Sequence, residues 1–170
     1  MQRLSNLQHS IDTLTDLTGR FLAWLTLLMM ILLSLVVILR YGFEIGSIAL
    51  QESVTYLHGA VFMLGAAYTL KRDGHVRVDI FYRHFSPRTK AWINSLGGII
   101  FLLPLCVYIV VVSWDFVDQS WQIREVSSEP GGIPAVFLLK TLIPLLAINL
   151  GLQGLAEILR STLILLEENE

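Results

Sequence analysis

The chain has 170 residues, one domain's worth, of which 54% are hydrophobic and 15% charged, with a formal net charge of −2. Its mean hydropathy of +0.64 is far above that of soluble domains. The balance excludes a nucleic-acid partner, and a single cysteine, Cys106, excludes an internal disulfide or a dithiol redox pair.

In chain order, Leu4, Leu7, Ile11, Leu14, Thr18 and Phe21 recur at three-four spacing, the mark of an amphipathic helix, with Asn6, Asp12, Thr13 and Asp16 opposite. Such a stripe is expected to lie on the membrane surface or on a partner helix. Phe21 to Leu39 then contains no charge over nineteen residues, enough to cross a hydrocarbon core of about 30 Å at 1.5 Å per residue. It exceeds a secretory apolar region, and Arg40-Tyr41-Gly42 offers no cleavage site, so it reads as a retained span. Three more apolar stretches follow. The expected architecture is all-α: four transmembrane helices at about 21–39, 50–70, 91–114 and 134–156, forming one membrane domain over 1–170. Cys106, inside the third, is expected to pack as a small hydrophobe. Pro104 and Pro144 are expected to bend the third and fourth.

The segment "LKRDGHVRVDIFYRH" (Leu70 to His84) separates the second and third spans. Lys71 and Arg72 suit the negative end of the second helix, and Gly74 is expected to end it in a left-handed conformation. Alternation of Val76, Val78 and Ile80 fits a strand. At helical period, Val78, Phe81, Tyr82 and Phe85 form one face and Asp79 and Arg83 another, so a short interfacial helix competes with the strand. No usual ligand spacing supports a metal site from Asp73, His75, Asp79 and His84. Ser86-Pro87 reads as the cap and first residue of the third helix. The connection "SSEPGGIPA" (Ser127 to Ala135) is turn chemistry, with Pro134 suited to the first turn of the fourth helix.

Cations set the expected orientation. Arg3, Arg20, Lys71, Arg72, Arg77, Arg83, Arg88, Lys90 and Arg160 fall on one side, against Arg40, Arg124 and Lys140 on the other. The first side is therefore expected to be cytoplasmic and to carry both termini. The opposite connections hold Glu44, Glu52, Asp115, Asp118, Glu125 and Glu129. Trp24 and Trp92 at the cytoplasmic ends, and Trp114 and Trp121 at the other, read as anchors among the membrane lipids, together with Lys71, Arg72, Arg83, Arg88 and Lys90.

Ionisable groups at membrane depth are few: Glu52 opening the second span, His58 within it and Lys140 starting the fourth. For His58, hydrogen-bonded packing competes with proton relay. A haem needs paired histidines, and neither a phosphate loop nor a Ser-His-Asp set stands at membrane depth. Neither an enzyme nor a cofactor is expected. A self-sufficient transporter would show polar or discontinuous helices near mid-membrane. The expected role is therefore a scaffold serving another polypeptide. An autonomous small channel or proton-coupled carrier using Glu52, His58 and Lys140 is the alternative.

The stretches "QESVTYLHGAVFMLGAAYTLKRDGHVRVDIF" (Gln51 to Phe81) and "SSEPGGIPAVFLLKTLIPL" (Ser127 to Leu145) resemble the small permease subunit of tripartite ATP-independent periplasmic (TRAP) transporters. The resemblance implies a bacterial inner-membrane chain without catalytic residues, paired with a large permease subunit that holds the substrate and ion sites. It also implies a periplasmic solute-binding protein that delivers a small organic solute, commonly a carboxylate. Three surfaces are then candidates for partner contact. One is the second span through Glu52, Tyr56 and His58, where Gly59, Ala60, Ala66 and Ala67 permit close approach. Another is the outer loop with Glu125, Glu129 and Pro130, and the third is the cytoplasmic connection with Arg77 and Asp79.

Overall fold

A computed structural model describes residues 2–76 and 80–167, and every described element is helical. The elements are α1 (Gln2–Gly42), α2 (Ile48–Lys71), a 3-10 turn (Tyr82–His84), α3 (Pro87–Gly97), a π segment (Gly98–Leu102), α4 (Leu103–Gln122) and α5 (Val136–Glu167). Three helical rods are long and apolar enough to cross a membrane: α1, the continuous rod Pro87–Gln122, and α5. Helix α2 has 24 residues and is the most polar at its start, with Gln51, Glu52, Ser53 and Thr55.

Helix α5 is the hub. Helices α1, α2, α3 and α4 all lie against it, and α1 packs on α2 as well. The α1–α2 contact is close because Gly19 faces Tyr68, and any Cβ at position 19 would overlap the phenol ring. Most apolar side chains along α1 and α4 face outward, among them Ile31, Ile38, Val107 and Val111. In water such a surface would be untenable; in a bilayer it is the ordinary solvated face.

The N-terminal stripe does not form a separate element, because nothing between residues 2 and 42 breaks the helical ladder. Its orientation is also the reverse of a stripe that buries its leucines. Leu4, Leu7, Leu14 and Leu17 are exposed, whereas Thr15 is buried and Asp12 is turned toward α5. Polar partners waiting on α2 and α5 decide which side faces in.

Local chemistry explains the ends. Ser86 caps α3 by accepting the Thr89 amide ahead of Pro87, as expected, and Ser47, not singled out by sequence, caps α2 by accepting the Leu50 amide. At the end of α2 it is Asp73, at φ 53°, and not Gly74 that takes the left-handed conformation. Aspartate tolerates that region through local hydrogen bonding, and the Gly74 amide reaches back to the Thr69 carbonyl at 2.9 Å. Pro104 lacks the N–H that would hold its upstream carbonyl. The ladder widens just before it into the π segment, where the Leu103 amide donates to Gly98 five residues back. Pro134 lies two residues ahead of α5, not inside its first turn. Between α2 and α3 the described residues contain only the three-residue 3-10 turn and no strand, and the alternating core Arg77–Asp79 lies outside the described residues.

Candidate functional site

The buried polar chemistry gathers in two layers, one at each end of the bundle. At the end carrying the termini, Gln153 of α5 is completely buried. Its carbonyl accepts the Thr15 hydroxyl at 2.7 Å, and its amide nitrogen donates to Asp12 at 3.0 Å and to Glu157 at 3.2 Å. All three directions of the side chain are thus satisfied, as burial demands. Arg160 bridges Glu157 at 2.7 and 2.8 Å and Asp12 at 2.8 Å. Lys71, closing α2, pairs with Asp16 at 2.8 Å and donates to the Asp12 carbonyl at 2.7 Å. Arg72 reaches Asp16 at 3.4 Å and lies over the Tyr68 ring. Three helices are therefore joined by side chains from α1, α2 and α5.

At the opposite end, the loop between α4 and α5 is fastened to α2. One Glu52 oxygen accepts the Ser127 hydroxyl in a short hydrogen bond, and the other accepts the Ile133 amide at 2.5 Å. Between these points Glu129 to Gly132 form a type II turn, with the Gly132 amide on the Glu129 carbonyl at 3.0 Å, Pro130 second and Gly131 third at φ 81°. Glu125 pairs with Lys140 at 2.5 Å, and the same ammonium lies 3.9 Å from the Phe116 ring centre. The Lys140 hydrogen bond holds the Glu125 carboxyl below the usual carboxylate range.

A family model described as "Tripartite ATP-independent periplasmic transporters, DctQ component" matches residues 29–163, well over half of the chain. The chain belongs to this DctQ family, the small permease component of TRAP transporters. No curated protein and no solved structure matches it.

For this DctQ member, the geometry sorts the residues singled out by sequence. Glu52, Glu125, Glu129 and Pro130 come together at the loop end, with the Tyr56 side chain also directed inward, its hydroxyl buried. His58 does not join them. Six positions beyond Glu52 it stands roughly 120° around the helix, exposed and stacked on Phe62 at 6.2 Å. Arg77 and Asp79 lie outside the described residues. Of the anchors, Trp24, Trp92 and Trp114 are more than half exposed. Trp121 also donates to Thr141 at 2.8 Å and meets Phe137 edge-on. Lys90 lies over the Tyr82 ring and reaches the Arg83 carbonyl, while Arg83 and Arg88 are exposed. Lys71 and Arg72 do more than mark a boundary, since both bind α1.

Sequence reasoning missed Thr15, Gln153, Glu157 and Arg160. A signal existed: Gln153, Glu157 and Arg160 are spaced four and three apart, and Asp12 and Asp16 four apart, so each set shares a helix face. Which face met which was not written in either pattern alone.

Among the described residues, no group of histidine, cysteine, aspartate and glutamate is arranged to hold a metal. The arrangement fixes helices in place.

Proposed function

We propose that this DctQ-family chain is a non-catalytic scaffold subunit of a secondary-active TRAP transporter. In this reading it pairs with a large permease subunit in the bacterial inner membrane. That assembly takes up a small organic solute, a carboxylate, delivered by a periplasmic solute-binding protein and driven by an ion gradient. One observation carries the scaffold assignment: of the ionisable groups placed at membrane depth, Glu52 and Lys140 are bonded within the chain, and His58 is stacked on Phe62 apart from them.

The same layers support a four-span arrangement. Helix α2 carries Glu52 in one layer and Lys71 in the other, nineteen residues or roughly 28 Å apart, close to the hydrocarbon thickness of about 30 Å. It therefore crosses beside α1 and α5 despite its more polar start. In this reading, supported by the cations of the Leu70–His84 connection, that end and both termini face the cytoplasm, and the Glu125–Pro130 loop faces the periplasm as a docking surface for the binding protein.

The test is reconstitution. The purified chain alone in liposomes should give no solute flux, and flux should appear when the large permease and the binding protein are supplied together. Robust flux from the chain alone would replace the scaffold by an autonomous carrier. Affinity purification under mild detergent should bring down the large permease, and Glu52→Gln, which disturbs the loop, should weaken that yield. Unchanged yield and uptake in the variant would remove Glu52 from the contact surface.

A further inference from the structure

The connection between α2 and α3 leaves large apolar side chains exposed outside any span. Ile80 and Phe81, just ahead of the 3-10 turn, are 62% and 77% exposed, and Trp92 on α3 is 51% exposed. The turn itself is firmly placed. The Tyr82 hydroxyl donates to Asn94 at 3.0 Å, and the Tyr82 ring meets Phe85 edge-on. Tyr82 thereby holds the turn beside the start of α3. Asn94 also lines a cleft with Leu70 and Glu157, so the turn lies level with the termini-end polar layer.

Two cations meet at this turn. The Lys90 ammonium donates to the Arg83 carbonyl at 3.4 Å and stands 5.5 Å from the Tyr82 ring centre. Arg83 is exposed. No carboxylate pairs with either among the described residues, whereas Lys71, Lys140 and Arg160 all meet carboxylates inside the bundle. The rod sets their depth. Trp92 to Trp114 is twenty-two residues or roughly 33 Å, close to the hydrocarbon core of about 30 Å. Lys90 and the Arg83 carbonyl it binds therefore stand just outside that core. This is the headgroup layer, about 5–8 Å thick on each side.

We propose that Ile80–Phe85 and the adjoining Lys90–Trp92 stretch of α3 dock on an anionic lipid surface of the phosphatidylglycerol type. Lipid phosphates meet Arg83 and Lys90, while Ile80 and Phe81 dip beneath the headgroups. Charge decides the headgroup. A phosphatidylcholine surface brings an ammonium with every phosphate, so two unpaired cations find no net attraction there. Near an anionic surface each cation strengthens binding about fivefold. The exposed apolar pair decides the depth, since cations beside large apolar side chains are the pattern of a segment lying in the interface. Docked in this way, the covalent link between α2 and the rod is held in the plane of one leaflet. Assignment to the cytoplasmic leaflet rests on the orientation given under Proposed function; the charge recognition does not.

The test uses the full-length chain in phosphatidylcholine vesicles, with a bimane fluorophore on His84→Cys in a Cys106→Ser background. Equal amounts of phosphatidylglycerol or phosphatidylcholine carrying a nitroxide high on one acyl chain are then added as quenchers. Phosphatidylglycerol should quench more strongly, and the excess should vanish in about 0.5 M salt, where surface charges are screened. Arg83→Gln and Lys90→Gln should each lower that preference about fivefold. Ile80→Ser combined with Phe81→Ser should weaken quenching by both lipids, with elution and helicity unchanged as the folding control. The same fluorophore on Glu129→Cys, at the opposite end, should show no preference. Equal quenching by the two lipids at position 84, an equal preference at position 129, or a preference insensitive to both glutamine variants would overturn the proposal. Quenching unchanged in the serine pair would overturn the insertion of Ile80 and Phe81. Loss of the preference when the large permease is added would overturn the lipid assignment, by making the turn a protein interface. The measurement needs only this chain, so its failure leaves the scaffold reading intact.

Discussion

Glu52 accepts the Ser127 hydroxyl with one oxygen and the Ile133 amide with the other, so a single side chain holds both strokes of the 127–133 loop to α2. Glu52→Ala removes both acceptors, and the Ile133 amide should then exchange with deuterium faster by on the order of tenfold; Glu52→Gln, which keeps one acceptor, should fall between. Unaltered exchange at Ile133 would show that the turn holds itself. Glu125 gives a pH signature. Because Lys140 lowers its folded pKa, the pair stabilises the loop above the ordinary carboxylate range and is lost as pH falls through the depressed value. Thermal unfolding in detergent, followed between pH 7 and about 3, should show a downward step at the acid end that Glu125→Gln lacks. The loop residues were legible in sequence as turn chemistry, because Pro130 and Gly131 prescribe their own dihedral angles. Glu52's engagement was not, since its donors lie 75 and 81 positions away.

At the scale of elements, α1 shows where sequence patterns mislead. Its leucine stripe reads as the face that seeks a partner, and in water it would be. Here Asp12 and Thr15 find polar partners on α5, so that side of α1 turns inward and the leucines stay outside. Replacing Gln153 by Ala leaves Thr15 and Asp12 without their buried partner and should cost about 2 kcal/mol in detergent unfolding. Pairing Gln153→Leu with Thr15→Val should cost less than the two single changes added together, because both halves of the contact then become apolar. Strict additivity in that cycle would mean that the two side chains do not act as a pair. Helix existence, and the apolar length of α1, the Pro87–Gln122 rod and α5, were legible because length and hydropathy determine them. Helix rotation was not, because it depends on which polar residue of another helix stands opposite.

Across the whole molecule, the two polar layers set the vertical position of helices whose apolar sides would otherwise slide freely past one another. Orientation in the membrane is measurable with single cysteines in a Cys106→Ser background. An impermeant maleimide applied to intact cells should label Glu129→Cys and should spare Arg83→Cys until the cells are opened. The reverse pattern would invert the proposed orientation. Cys106→Ser is a mild background because the thiol merely packs against Gly151.

The termini-end layer also orders events during synthesis. Lys71 meets Asp16 as soon as the second helix has emerged, so α1 and α2 close as a hairpin early. Thr15 and Asp12 wait for partners 138 to 148 positions later in the chain. Until α5 arrives, the polar side of α1 stands ready and incomplete, and the nascent bundle has no centre on which α3 and α4 can settle. Helix α5 is therefore the keystone, and a chain cut before residue 153 should be left as a hairpin and a loose rod, not a smaller version of the same scaffold.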